Sequence, residues 1–229
     1  SFPKPFTVPA TIKSFNFCLL VVSAILLSVM VPVNSADTVD PPTNTIVVLG
    51  DSLSAGYGVK LNHSWPSLLD ASIKKQGLTF QVVNAGVSGD TTSGGLYRLP
   101  KLLSRHKPRI VILELGGNDG LRGMSLKKVV RKNLKLMIEM AQMAGATVVL
   151  VGVELPPNYG EVYTKNFQRI FSDLAIEYQL SLIKGSIQEM AAMGLMQSDG
   201  IHPNKEGHSL IAKEVWAEIQ PLITQMNAG

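Results

Sequence analysis

The sequence predicts an α/β protein: a three-layer α/β/α sandwich around a central parallel sheet of about five strands. Three observations predict it. Five short apolar runs, rich in β-branched residues, alternate with longer segments of helical periodicity, the pattern of βαβ units with right-handed crossovers. The clearest run, 109–115, sets Ile110, Val111, Ile112 and Leu113 in succession, and such unbroken hydrophobicity means burial on both faces of a parallel sheet. Polar, glycine-rich segments follow directly on the first three runs, where open α/β sheets place their sites.

The elements follow in order. Residues 45–49 form the first strand, stopped by Gly50. A helical pattern spans 65–76 and ends at Gly77; a second strand spans 80–84. Residues 92–104 are helical in part, disturbed by Gly94, Gly95 and Pro100. After the strand 109–115, Ser125 is the N-cap of a helix that runs to 144 and stops at Gly145. Residues 147–151 are another buried strand. The helix 162–178 carries an apolar stripe of Phe167, Ile170, Phe171 and Leu174. A weak last strand at 180–184 precedes the closing helix 206–220, with Leu210, Ile211, Val215 and Ile219 facing the core.

The N-terminus reads differently. Lys4 and Lys13 are the only charges before Asp37, and a mostly apolar run covers 15–33. Small or polar residues Asn34, Ser35 and Ala36 follow. Positive start, apolar middle and small-residue exit describe a secretory signal over 1–36, cleaved near Ala36, and hence an exported, periplasmic or secreted protein. The 19-residue run exceeds the usual ~7–15 of a signal, so an uncleaved membrane anchor is the alternative. Residues 37–44 are a proline-containing lead-in, and 45–229 form one domain.

Composition excludes several classes. With 45% apolar and 17% charged residues the chain can bury a core, which argues against disorder. The net charge of +4 is modest. Its densest basic group, Lys127, Lys128, Arg131 and Lys132, reads as a solvated helix face, and no basic stretch alternates with aromatics, so nucleic acid is not an expected partner. The single cysteine, Cys18, lies within the apolar N-terminal run, so the domain itself has no thiol nucleophile and no cysteine metal site. His63 and His106 lack acidic or histidine partners at metal spacing, and His208 reads as a packing or surface residue of the last helix; no metal or cofactor is expected.

Four segments carry chemistry: Gly50-Asp51-Ser52-Leu53-Ser54 after the first strand, 84–90 after the second, Gly116-Gly117-Asn118-Asp119 after the third, and Ser198-Asp199-Gly200-Ile201-His202-Pro203 before the last helix. Acyl transfer to a serine needs a base to take its proton. It also needs a carboxylate to hold that base and donors aimed at the developing oxyanion. Ser52 supplies the hydroxyl, and Asp199 and His202, three apart, supply the carboxylate and imidazole. The Asn118 amide and the Ser52 and Gly89 N–H groups supply donors. Asp51 and Asp119, each beside a site residue, read as braces for their own loops.

Gly50-Asp51-Ser52-Leu53, Gly89, Asn118 and Asp199-Gly-Ile-His202 resemble the four blocks of the SGNH, or GDSL, hydrolases, over roughly residues 45–225. Residues 50–57, 115–123, 155–160 and 198–204 are similar to the branch of that family with thioesterase, lysophospholipase and arylesterase activity. The resemblance implies the flavodoxin-like fold of that family, with Ser52 as nucleophile, His202 as base held by Asp199, and Ser52, Gly89 and Asn118 as the oxyanion hole. It implies that the 119–124 segment (Asp119, Gly120, Leu121) and the 155–160 loop (Leu155, Pro156) flank an acyl groove. It implies a small-molecule or lipid-like ester or thioester substrate, no metal, a monomer, and leaves peripheral contact with membrane lipids open. Glu154 stands out: a carboxylate facing the groove would disfavour anionic substrates such as coenzyme A esters. Met190, Met193 and Met196 either fill core gaps or form an adaptable rim to the groove. A carbohydrate acetyl-esterase is an alternative on the same machinery. A nucleotide-binding module would need a G-x-G-x-x-G or P-loop signature that the sequence lacks, and an inactive binding relative is not favoured, because every triad part is present.

Overall fold

The protein was analysed as a computed structural model, which describes residues 43–185 and 187–228. The expected export segment 1–36 and residues 37–42 of the lead-in lie outside the described residues. Five strands, β1 (Thr43–Gly50), β2 (Gln81–Asn84), β3 (Pro108–Glu114), β4 (Thr147–Val151) and β5 (Ser181–Ile183), form one parallel sheet in the order β2-β1-β3-β4-β5. That order reverses between β1 and β3, the switch point of flavodoxin-like sheets, so a crevice is expected beyond their carboxyl ends.

Alternation within the strands builds both faces of the core. In β3, Val111 and Leu113 point to one side and Ile110 and Ile112 to the other; β4 splits likewise, Val148 and Leu150 against Val149 and Val151. The first side is covered by α3 (Thr92–His106), α5 (Lys132–Met143) and α6 (Glu161–Tyr178), through Leu99, Met137, Phe167, Phe171 and Leu174. The second is covered by α2 (Trp65–Lys75) and α8 (Lys205–Ala228), through Trp65, Leu69, Val215, Ile219 and Ile223. Short helices α1 (Ser52–Ala55), α4 (Gly117–Leu121) and α7 (Ile187–Ala192) follow β1, β3 and β5 at the crevice end.

The structure departs from the sequence reading at element ends. β1 starts two residues early, because the Thr43 N–H reaches the Lys107 carbonyl at 2.8 Å. The 92–104 segment is one continuous helix to His106, capped by the Thr91 hydroxyl and running through Pro100 because Leu99 and Leu103 are buried against the sheet. Ser125 caps as expected, by accepting from Lys128 N, but the first turns after it, Leu126–Arg131, are π-helical. α8 continues past Pro221, whose ring ends most helices. Ile223, fully buried one turn beyond Ile219, carries the apolar stripe across that break.

Candidate active site

Ser52 opens α1 directly after β1. Asp51 caps this helix, its Oδ1 accepting from Leu53 N at 3.1 Å, which turns the chain sharply and leaves Ser52 at the tip. Gly50 permits the close packing below: a Cβ there would stand 2.2 Å from Ser54 Oγ and 2.7 Å from Glu114 Oε2.

Asp199 shapes the loop that presents His202. Its Oδ1 accepts from the N–H groups of Ile201 (2.9 Å) and His202 (3.0 Å), an Asx-type turn that accounts for the three-residue spacing. Its Oδ2 meets His202 Nδ1 at 2.7 Å, and His202 Nε2 lies 2.9 Å from Ser52 Oγ. With Nδ1 protonated towards Asp199, Nε2 presents a lone pair to the serine hydroxyl. Partial burial pushes the Asp199 carboxyl up, but the His202 N–H, its imidazole and the Ile201 N–H outweigh it and bring the pKa down to about 2. The loop is fastened by Gln197, whose amide donates to the carbonyls of Tyr57 and Pro203, both at 2.8 Å. The Tyr57 ring lies 4.5 Å from the imidazole at 39°. Tyr57 closes the 50–57 segment that carries the family resemblance, but the sequence gives it no role of its own.

The residues expected to supply donors, Ser52, Gly89 and Asn118, line the same end of the cleft. Gly89, in the left-handed region at φ +81°, places its loop beside Ser52 at the cleft. Asn118, on α4, donates through Nδ2 to the Asp90 carbonyl (2.9 Å) and Asp51 Oδ2 (3.1 Å). The amide is thus aimed by two acceptors and must share or release one to meet an oxyanion. Asp90 is in turn gripped by Arg98 from α3, which also donates to the Ala85 carbonyl at 2.7 Å. Burial pushes the Asp51 carboxyl up to about 6, against the lowering effect of Leu53 N–H, His202 and Asn118.

A cleft of about 340 Å³ opens from this centre. Leu53, Leu121, Val153, Leu155, Pro156 and Ile187 give it apolar walls, with Ser52, Gly89, Asn118 and His202 at one end. Of the expected groove residues, Leu121, Glu154, Leu155 and Pro156 line it. Asp119 and Gly120 do not. Asp119 is fully buried and accepts from Thr92 N (2.8 Å) and Thr92 Oγ1 (2.6 Å), so it braces the start of α3 rather than its own loop. Gly120 packs against Leu155 and Phe167. The two flanking segments are tied together by Tyr159 and Tyr163, whose hydroxyls donate to the Leu121 and Gly120 carbonyls. Glu154 faces the cleft at its edge, with its carboxylate held by Gln168 Nε2 (3.2 Å) and Gln188 N (3.1 Å). The methionines form no rim: Met190 is core, Met193 is exposed and Met196 bridges to Pro203. Among the described residues no three His, Cys, Asp or Glu side chains converge to hold a metal ion.

Comparison with known proteins agrees with this geometry. Residues 48–210 match the GDSL-like lipase/acylhydrolase family. The chain is 41% identical over 180 residues to "Esterase TesA" of Pseudomonas aeruginosa, covering 78% of this chain and 89% of that protein. It is 42% identical over 181 residues to "Thioesterase 1/protease 1/lysophospholipase L1" of Escherichia coli, covering 79% and 85%. A crystal structure of the psychrotrophic esterase EstA from Pseudoalteromonas sp., inhibited by monoethylphosphonate, superposes with a TM-score of 0.74 at 37% identity, covering 80% of this chain and all of that one.

Proposed function

The chain belongs to the GDSL-like lipase/acylhydrolase family, and we propose that it hydrolyses carboxylic esters, and thioesters of acyl chains, through an acyl-enzyme on Ser52. The observation that carries this reading is the unbroken series Asp199 Oδ2, His202, Ser52 Oγ at 2.7 and 2.9 Å, opening onto an apolar cleft.

The steps use the groups around Ser52, with Asn118 sharing or releasing one of its two acceptors. His202 Nε2 takes the Ser52 proton as Oγ bonds to the substrate carbonyl carbon, and Asp199 stabilises the imidazolium. The carbonyl oxygen gains the charge and is met by the Ser52 and Gly89 N–H groups and the Asn118 amide. Collapse expels the alcohol or thiol, which leaves with the proton from Nε2. Water, deprotonated by the same nitrogen, then attacks the acyl carbon; the proton passes back to Ser52 as the acid departs. The acyl portion lies along Leu121, Leu155 and Ile187. One chain carries the whole triad, so a monomer suffices. Export is supported by the charge and hydropathy pattern of residues 1–36, and contact with lipid surfaces would follow from lysophospholipid substrates.

Hydrolysis of p-nitrophenyl butyrate and palmitoyl-CoA by residues 37–229, with Ser52→Ala alongside, tests the reading. Serine-dependent release from both supports a broad esterase and thioesterase, and release from the aryl ester alone narrows it to an arylesterase. Wild-type turnover in Ser52→Ala, where a loss of at least ~10³-fold is expected, would overturn the assignment.

A further inference from the structure

A carboxyl that this chemistry does not use lies directly beneath the nucleophile. Glu114 closes β3 and is 1% exposed. The β1–β3 register sets it opposite Gly50, under the turn that carries Ser52. Two donors converge on its Oε2: Ser54 Oγ at 2.7 Å and Asp51 N at 3.4 Å. They come from either side of the nucleophile, so one carboxyl grips the turn before and after Ser52.

Its charged surroundings are one-sided. Asp51 from the turn is another acid, and burial together with that charge pushes the Glu114 pKa well above the carboxylate range. The basic groups of the site are engaged elsewhere: Arg98 of α3 pairs with Asp90, and the His202 imidazole of the last loop is held by Asp199. No ion pair reaches Glu114 among the described residues. A buried carboxyl without a cation takes up a proton rather than remain charged.

We propose that Glu114 is a positioning residue for Ser52 that works as the neutral acid. Its Oε2 holds Asp51 and Ser54 while Oε1 keeps the proton. Asp51 is left as the single anion of the pair, free to orient Leu53 N–H and the Asn118 amide. The pair therefore holds one proton between two acids. Loss of that proton sets two like charges under the nucleophile and loosens the turn, so turnover falls at alkaline pH.

Glu114→Gln and Glu114→Leu test this in the whole chain, with Ser54→Ala beside them. The inference rests on Ser52 as nucleophile. Gln keeps an oxygen for both donors and cannot ionise; it should hold kcat within about threefold of wild type and lack the alkaline fall. Leu removes the acceptor; kcat should drop about tenfold or more with KM within about threefold, since Glu114 meets the cleft only at its floor and is 1% exposed. If the Leu variant does not fold, Ser54→Ala carries the same expectation of lower kcat at constant KM. Infrared difference spectra of wild type against Glu114→Gln should show the carbonyl band of a protonated acid at neutral pH. A Gln variant as impaired as Leu, a Leu or Ser54→Ala variant with wild-type kcat, or an absent band would each overturn the role. An active Ser52→Ala would instead remove the premise while leaving the band in place, so the two failures separate.

Discussion

His208 makes acid stability measurable at one residue. It lies in the first turn of α8, 1% exposed, with its Nδ1 accepting from Trp65 N at 3.3 Å. Burial, and secondarily the charge of His202, brings its pKa down to about 4. In the unfolded chain a histidine titrates near ~6.5. Between these values the unfolded state binds a proton that the native state does not, so stability rises with pH across that window. The contribution is fully present above about pH 6.5 and is lost as pH falls towards about 4. A gap of about 2.5 units at 1.36 kcal/mol each makes the loss about 3 kcal/mol. The perturbation is His208→Asn, whose Oδ1 can take the Trp65 N–H without titrating. Urea unfolding at intervals from pH 7.5 to 4 gives the difference in stability between wild type and variant. Taking the difference cancels other acids in the same window, among them Asp51. That difference should move by about 3 kcal/mol in favour of the variant as the pH falls. A difference constant with pH would refute the reasoning, because it would mean that His208 takes up its proton as readily folded as unfolded.

Two further outcomes concern turnover. Asp199→Asn should lower kcat by ~10³–10⁴-fold, because an amide cannot hold the Nδ1–H tautomer of His202, and should leave the unfolding midpoint nearly unchanged since this loop is exposed; kinetics within tenfold of wild type would contradict the role. Glu154→Arg should raise the ratio of palmitoyl-CoA to p-nitrophenyl butyrate turnover several-fold, as a cleft-edge anion held by Gln168 and Gln188 gives way to a cation; an unchanged ratio, measured at constant ionic strength, would mean the carboxylate is turned away from the substrate.

Much of this site is legible in the sequence because its parts are local. Asp199 and His202 are three apart, and the Asx turn that joins them is written in that spacing. Ser52 follows a β-branched run, so its place at a strand end follows from the parallel-sheet rule. Leu121, Leu155 and Pro156 lie in segments whose resemblance to relatives fixes their place. Asp119 does not reach the groove, because adjacency to Asn118 says nothing about direction: on a short helix the next residue points elsewhere, here to Thr92, 27 positions away.

What stayed hidden depends on pairing across the chain. Tyr57 reaches His202 only because α1 and the last loop meet at the crevice. Glu114 is more instructive, since the sequence does carry a signal: a carboxyl stands between the apolar run 110–113 and Leu115. Periodicity alone reads it as one more residue of the strand 109–115. Only the β1–β3 register turns it into a group under the nucleophile, and its burial without an ion pair among the described residues is what favours the neutral acid. A buried acid that breaks an apolar pattern one pairing away from a nucleophile is therefore a question the sequence can pose, and strand register is what answers it.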